Sequence, residues 1–271
     1  MKYKCALTIA GSDSAGGAGI QADIKTMSAL GVYAASAITA VTVQNTTGVY
    51  GIEALRPEIV AGQIRAVMDD ISPAAVKIGM VNDAATIHAI ADALGGYPDT
   101  TVVIDPVMVS TSGCRLMQED ALLAFRTELL PLASLLTPNV PEAEILAGMR
   151  IGSVADMDRA ADIISHSARC AVLIKGGHLD GATKTDILYS DGCRADTFET
   201  LAVSTRNTHG TGCTLSSAIT AHLALGHSMA DSIRLAKEYL YNALDAGKDV
   251  EIGKGYGPVN HFFKPRSLVK E

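Results

Sequence analysis

The sequence has no tryptophan and only four phenylalanines. Its many Ala and Gly residues suit close helix–sheet packing rather than an aromatic-rich binding surface. Basic charge is scarce, with 22 Lys and Arg against 29 Asp and Glu and a net charge of -7. A nucleic-acid partner needs a broad basic face, so that class is set aside. The five cysteines, Cys5, Cys114, Cys170, Cys193 and Cys213, form no C-x-x-C pair, and the seven histidines form no H-E-x-x-H pattern. Reduced thiols are expected, not a disulfide framework or a zinc site. Long apolar runs are missing too. Cys5 to Ala10 is too short for a signal peptide. Val32 to Val43 carries Tyr33, Ser36, Thr39 and Thr42 and falls short of the ~20 residues of a membrane helix. A soluble cytoplasmic protein with no membrane partner is expected. Finally, there is no Walker A sequence, so any nucleotide-phosphate site must be built in another way.

What is present is a regular alternation of short apolar runs and helical patterns. Strands are expected at Cys5–Ala10, Ala34–Val43, Ala75–Ile78, Thr101–Ile104, Leu135–Thr137 and Ala171–Lys175. Helices are expected at Gly19–Leu30, Pro57–Ile71, Asp83–Leu94, Glu119–Leu130, Pro141–Ala147 and Ser153–Ser167. Asp191-Gly192 marks a hairpin between Thr185–Ser190 and Arg194–Thr200. Two long helices follow, Thr211–Leu225 and Ser228–Ala246, before an irregular tail. The alternation predicts a single α/β domain over 1–271, with a mainly parallel sheet between helical layers and residues 250–271 as the tail. No β lid is expected after the first strand, because a helix pattern begins almost at once. Closure then falls to a loop, with Asp83–Ala85 and Ser110–Arg115 as candidates.

Ligands of such sheets bind at the carboxyl ends of the strands. Polar residues cluster there: Gly11-Ser12-Asp13, Gln44-Asn45, Asp105, Asn139 and Lys175-Gly176-Gly177. The most informative stretch is Asn207-Thr208-His209-Gly210-Thr211-Gly212-Cys213, which opens directly into an apolar helix. A helix start with free N–H groups attracts anions, and the same field lowers the pKa of the Cys213 thiol. His209 invites a Cys–His hydrolase reading, but it lies in the same turn as Cys213. Gly17-Ala18-Gly19-Ile20-Gln21-Ala22 formally matches a dinucleotide fingerprint, yet the next acid after the second strand is Glu53. Gln44 offers both donor and acceptor to a heterocycle edge. Asp105, Asn139 and Glu142 offer the oxygens Mg²⁺ prefers, although Glu142 also suits a plain first-turn acid. Lys175 and Lys237 are candidate phosphate contacts.

Taken together, these motifs resemble one family. Asn207 to Cys213 is similar to the ribokinase-like signature D-T-x-G-x-G-D, with Asn207 and Cys213 in place of its acids. The G-T-G-C form resembles the hydroxymethylpyrimidine/phosphomethylpyrimidine kinases of thiamine biosynthesis. So do the runs Ile9–Asp23, Val41–Thr46, Lys77–Met80, Asp105–Met108, Thr137–Asn139 and Lys175–His178. The resemblance implies a ribokinase-like three-layer α/β/α sandwich without a large β lid, and a homodimer. It implies ATP-dependent phosphorylation of a pyrimidine alcohol and then of its monophosphate. Gln44, Gly11, Asp23, Met80 and Val107 would bind the pyrimidine, and Gly210, Thr211, Gly212 and Cys213 would cradle the transferring phosphoryl. Asp105 and Glu142 would hold Mg²⁺, with Asn139, Lys175 and Lys237 at ATP. By the same resemblance Cys213 stands where relatives place a carboxylate base, and it would take the proton of the acceptor hydroxyl. The neighbouring alternative is a pyridoxal kinase of the same fold. An NAD-dependent oxidoreductase and a catalytically silent pyrimidine-binding protein are the readings from other classes.

Overall fold

The computed structural model describes residues 1–108, 116–118, 120–179 and 181–271. The aliphatic runs become β1 (Cys5–Ala10), β2 (Tyr33–Ile38), β3 (Ala40–Asn45), β4 (Gly48–Ala54), β5 (Ala75–Ile78) and β6 (Thr101–Ile104). They continue with β7 (Leu135–Leu136), β8 (Ala171–Lys175), β9 (Thr183–Ser190) and β10 (Cys193–Leu201). Eight of these form one sheet in the order β10-β9-β8-β7-β6-β5-β1-β2. The strands from β8 to β2 run parallel, and β9 and β10 add an antiparallel hairpin at one edge. β5 and β7 are buried along their whole length, as expected of strands covered on both faces.

The helices are α1 (Gly19–Ala29), α2 (Pro57–Asp70), α3 (Ala84–Gly95), α4 (Ala121–Ala124), α5 (Val140–Ala147), α6 (Val154–Ala168), α7 (Thr211–Ala224) and α8 (Met229–Gly247). Their starts follow from local chemistry. Asp83, Ser153 and Ser228 cap α3, α6 and α8 by accepting an N–H of the first turn, and Pro57 opens α2. Strand residues alternate between two cores, which makes the fold three-layered. Leu7, Ile9, Val76, Ile78, Val102 and Ile104 pack toward α2, α3, α5 and α6. Ala6, Ala75, Val103, Leu135 and Leu173 pack toward α1, α7 and α8.

Two expectations change. The single strand read over Ala34–Val43 breaks at Thr39, whose N–H donates to Ala10 O at the end of β1. Beyond that point β1 offers no further partner. Residues 40–45 instead pair with 48–54 as a separate two-stranded ribbon, β3–β4, over the carboxyl edge of the sheet. The sequence indeed has no β insertion after β1; a small one follows β2. The expected helix over 119–130 is only α4, which widens over Phe125–Leu129 and ends at Pro131, a residue with no N–H to give. Glu119 and the closure loop expected at 110–115 lie outside the described residues.

The tail lacks regular elements but is bonded throughout. Tyr256 N–H donates to Thr46 O at the ribbon tip, and His209 N–H donates to Gly257 O. Arg266 and Val269 N–H groups donate to Ala29 O at the end of α1 and to Gly31 O just after it.

Candidate functional site

One cleft of about 720 Å³ lies along the carboxyl edge of the sheet. Gln44, Gly11, Met80 and Val107 line one end, Gly210 to Cys213 the middle, and Asn139, Glu142, Lys175 and Lys237 the other side. Asp105 joins them on the floor. The topology explains most of this meeting, since Gly11, Met80, Asp105, Val107, Asn139, Lys175 and the α7 start stand at the carboxyl ends of the parallel strands, while the ribbon brings Gln44 and α8 brings Lys237.

The middle of the cleft is the start of α7. Gly210 is its N-cap with φ +77°, and no side chain caps the terminus. A Cβ at Gly210 would sit 1.9 Å from Gly17 O, so the position needs glycine for space as well as for φ. The uncapped first turn brings partial positive charge to the cleft. Asn207 explains one departure from the acidic signature. Its Nδ2 donates to Gly247 O and to Val250 O, both at 2.7 Å, and an aspartate could not make those bonds.

Below α7, Lys175 Nζ bonds Asp105 Oδ1 at 2.7 Å. Thr137 and Ser216 hydroxyls also donate to that carboxylate, each at 3.3 Å. Burial opposes ionisation of Asp105, but the ammonium groups of Lys175 and Lys77 outweigh it and hold the pKa below the usual value. Glu142 and Asn139 form a capping box on α5: Asn139 Oδ1 accepts the Glu142 N–H, and Glu142 Oε2 accepts the Asn139 N–H. The first-turn role is therefore real, yet Glu142 also faces the cleft. Burial pushes its pKa up to about 7, with Asp105 adding to the rise and Lys175 opposing it. Lys237 is not a solvated surface charge. It is buried and bonds Asp186 Oδ2 at 2.5 Å, while Asp186 Oδ1 accepts the Gly176 N–H.

Two expectations are corrected here. Asp23 does not line the cleft; α1 turns it inward, where it is fully buried and bonds Lys77 Nζ at 2.8 Å and Thr8 Oγ1 at 2.6 Å. Lys77, not Asp23, reaches the cleft wall. Burial works against the Lys77 charge, but Asp23, Cys213 and Asp105 hold its pKa above the usual lysine value. The second correction concerns the Cys213 thiol. Burial, with the nearby Asp23 and Asp105, outweighs the pull of Lys77 and of the Gly19 N–H and pushes its pKa up to about 11. The resting side chain is a protonated thiol, not a thiolate.

The sequence places Asp13 among the polar candidates without giving it a role, and it discounts His209. Asp13 Oδ1 accepts the Ala15 N–H, and Oδ2 accepts those of Gly17 and Ala18. His209 Nε2 lies 2.8 Å from the same Oδ2, and both residues line the cleft beside Gln44. The signal for Asp13 was its place after the first strand in a glycine-rich loop. Gly17-Ala18-Gly19 serves this packing rather than a dinucleotide: Gly17 lies against the His209 ring, and Gly19 (φ +55°) lies against Gly11 O. Glu53 sits on the ribbon, opposite Val41, not on the strand end where the fingerprint needs its acid.

Comparison with known proteins agrees with this geometry. Residues 13–260 match the family model for phosphomethylpyrimidine kinase. The chain is 52% identical over 260 residues to the hydroxymethylpyrimidine/phosphomethylpyrimidine kinase of Rhizobium meliloti (strain 1021), covering 96% of this chain and 97% of that protein. Among solved structures it resembles phosphomethylpyrimidine kinase from Clostridium difficile 630, with 46% identity and a TM-score of 0.78, over 89% of this chain and 99% of that one. It also resembles the Bacillus subtilis pyridoxal kinase solved as an ADP complex, with 35% identity and a TM-score of 0.87, over 96% of this chain and 98% of that one.

Proposed function

The chain belongs to the phosphomethylpyrimidine kinase family, and we propose that it uses ATP to phosphorylate the hydroxymethyl group of an aminopyrimidine and then the resulting monophosphate. The observation that carries this reading is the cleft with the uncapped α7 start at its centre. Gln44, Met80 and Val107 stand on one side of that start, and Lys175, Lys237 and Asn139 on the other. An acceptor alcohol and a nucleotide can meet across it.

Phosphoryl transfer is mostly a matter of alignment and charge stabilisation. Backbone N–H groups of Gly210 to Cys213 would receive the charge on the moving phosphoryl. Lys175 is already held by Asp105 and can shift its bonds to an entering phosphate without crossing the cleft. Lys237 is held in the same way by Asp186. The Cys213 thiol would orient the acceptor hydroxyl, whose proton leaves late in a loose transition state. Asp105 and Glu142 fit Mg²⁺ in the manner usual for nucleotide sites, with one or two carboxylates and the remaining positions left to water and phosphates. When bound, the ion would neutralise charge on the phosphates. The reading also carries a cytoplasmic homodimer, for which exposed Val41, Val43 and Tyr50 on the ribbon offer an apolar surface.

ADP release measured side by side with the pyrimidine alcohol, its monophosphate and pyridoxal tests the proposal. Turnover of both pyrimidines is expected, with the monophosphate as the distinguishing substrate. Turnover of pyridoxal alone would replace this reading with the pyridoxal kinase one.

A further inference from the structure

Gln44 sits at the tip of the ribbon with its main chain fixed. Ser14 Oγ donates to Gln44 O at 2.7 Å and accepts the Gln44 N–H at 2.9 Å. Its carboxamide lies between Thr42 and His209, with Oε1 3.3 Å from Thr42 Oγ1 and Nε2 3.5 Å from His209 Nε2. The two ends of a carboxamide have nearly the same shape, so hydrogen-bond complementarity decides between them.

Both neighbours are already committed. Asp13 Oδ2 accepts the N–H groups of Gly17 and Ala18, which leaves no room for a proton on that oxygen. His209 Nε2, 2.8 Å away, must therefore carry the hydrogen of that contact. Burial of Asp13 is outweighed by these donors, and its carboxyl stays below the usual pKa. On the other side, the Thr42 hydroxyl donates to Ser12 O at 2.8 Å, so it faces Gln44 as an acceptor. The amide nitrogen beside His209 would set one donor against another. In the opposite orientation the nitrogen donates to the Thr42 oxygen, and the amide oxygen faces the His209 N–H, which it shares with Asp13 Oδ2. His209 itself cannot swing away. Its main-chain N–H is tied to Gly257 O, and its ring packs on Gly17, where a Cβ would come within 2.6 Å.

We infer that His209, clamped by Asp13, and Thr42 lock the Gln44 carboxamide in one orientation and thereby make the site selective for an amidine edge. This inference rests on the reading that Gln44 faces the pyrimidine. A 4-aminopyrimidine edge presents a ring-nitrogen acceptor beside an amino donor. The 4-oxo tautomer presents the reverse, an N–H donor beside a carbonyl acceptor. A carboxamide free to rotate by 180° pairs equally well with either edge. A locked one pairs with only one of them, and the wrong edge leaves buried groups unmatched. His209 and Asp13 are thus positioning residues that act through Gln44.

The test compares kcat/KM for the pyrimidine alcohol with that for its 4-oxo analogue. The wild-type enzyme should favour the amino form at least about tenfold. In His209→Phe the ratio should fall about tenfold, while the KM for ATP stays within about threefold. Thr42→Val, on the opposite side of the carboxamide, should lower the ratio in the same way. In a Gln44→Ala background His209→Phe should change the ratio no further, which separates positioning from general damage. A wild type that turns over neither pyrimidine defeats the substrate reading before any variant is made. A wild type that turns over both equally, or variants that keep the wild-type ratio, overturn the inference while leaving that reading in place.

Discussion

Two glycine-rich loops meet at the centre of this molecule and use their backbone N–H groups in opposite ways. The loop from Gly11 to Gly19 carries its own anion. Asp13 accepts the N–H groups of Ala15, Gly17 and Ala18, the Ile20 N–H goes to Gly11 O, and the Gly19 N–H donates toward the Cys213 sulfur. The loop from Asn207 to Cys213 carries none, and the helix it opens has no side-chain cap. Composition alone makes both look like phosphate cradles. What separates them is whether the chain supplies a carboxylate to fill the concavity. The filled loop then acts as a wall, and the open loop is left for substrate.

The contact between the loops is the place to break this arrangement most severely. Gly210→Ala would place a methyl group 1.9 Å from Gly17 O at a residue with φ +77°. The α7 start would have to move off the filled loop and out of line with the cleft. A fall in kcat/KM of about 10²–10³ is expected, the scale for losing well-aimed backbone donors. A coupled ADP-release assay measures it, and circular dichroism shows that the variant remains folded. Activity within about tenfold of wild type would mean that the α7 terminus does not stabilise the transfer.

Asp13→Asn sharpens the contrast by replacing the internal anion with a neutral side chain. Three backbone donors and the His209 ring would lose their charged acceptor. A loss of about 2 kcal/mol of stability at neutral pH is expected. The sign of the pH dependence follows from the lowered pKa of Asp13. Its contribution is present above the unfolded carboxylate value of about 3.9 and is lost as pH falls through the lower folded value. The stability gap between wild type and variant should therefore close in acid. Denaturant melts at neutral and acidic pH would show it. A gap that persists in acid would indicate that side-chain shape, not charge, fills the loop.

Part of this picture was legible in the sequence, and the reasons are physical. Alternation of elements implies parallel strands, and parallel strands bring Gly11, Asp105, Asn139 and Lys175 to one edge whatever the details of packing. The ribbon was hidden because Val41-Thr42-Val43 alternates just as a sheet strand does. Periodicity gives a strand but not its partner. Asp23 belongs to a motif that follows the site loop, yet its place on α1 turns it beneath the sheet edge. Lys77 was obscured for the matching reason, since a strand lysine reads as an edge residue until a buried carboxylate is found opposite it. The raised pKa of Cys213 was not legible, because burial and the approach of Asp23 and Asp105 arise only in three dimensions.

Cys213 gives the smallest expected effect and the finest distinction between the loops. It stands at the seam, with the Gly19 N–H of the filled loop donating toward its sulfur. A general base usually contributes 10²–10⁴-fold to rate. A thiol with its pKa pushed up to about 11 is not ionised at neutral pH, so it cannot take the hydroxyl proton in the resting enzyme. Cys213→Ala should then lower kcat by only about tenfold, through looser alignment of the acceptor. Cys213→Asp should do no better, because it adds a third carboxylate to the neighbourhood of Asp23 and Asp105. The pH profiles of kcat/KM separate the two roles. With a positioning thiol, wild type and Cys213→Ala should share one shape, including any limb near 7 contributed by Glu142. With a base, wild type alone should climb tenfold per pH unit toward the thiol pKa, and the alanine variant should lose that climb. The shape shared by the two profiles, more than the size of the rate loss, is therefore the measurement that assigns Cys213 to alignment of the acceptor.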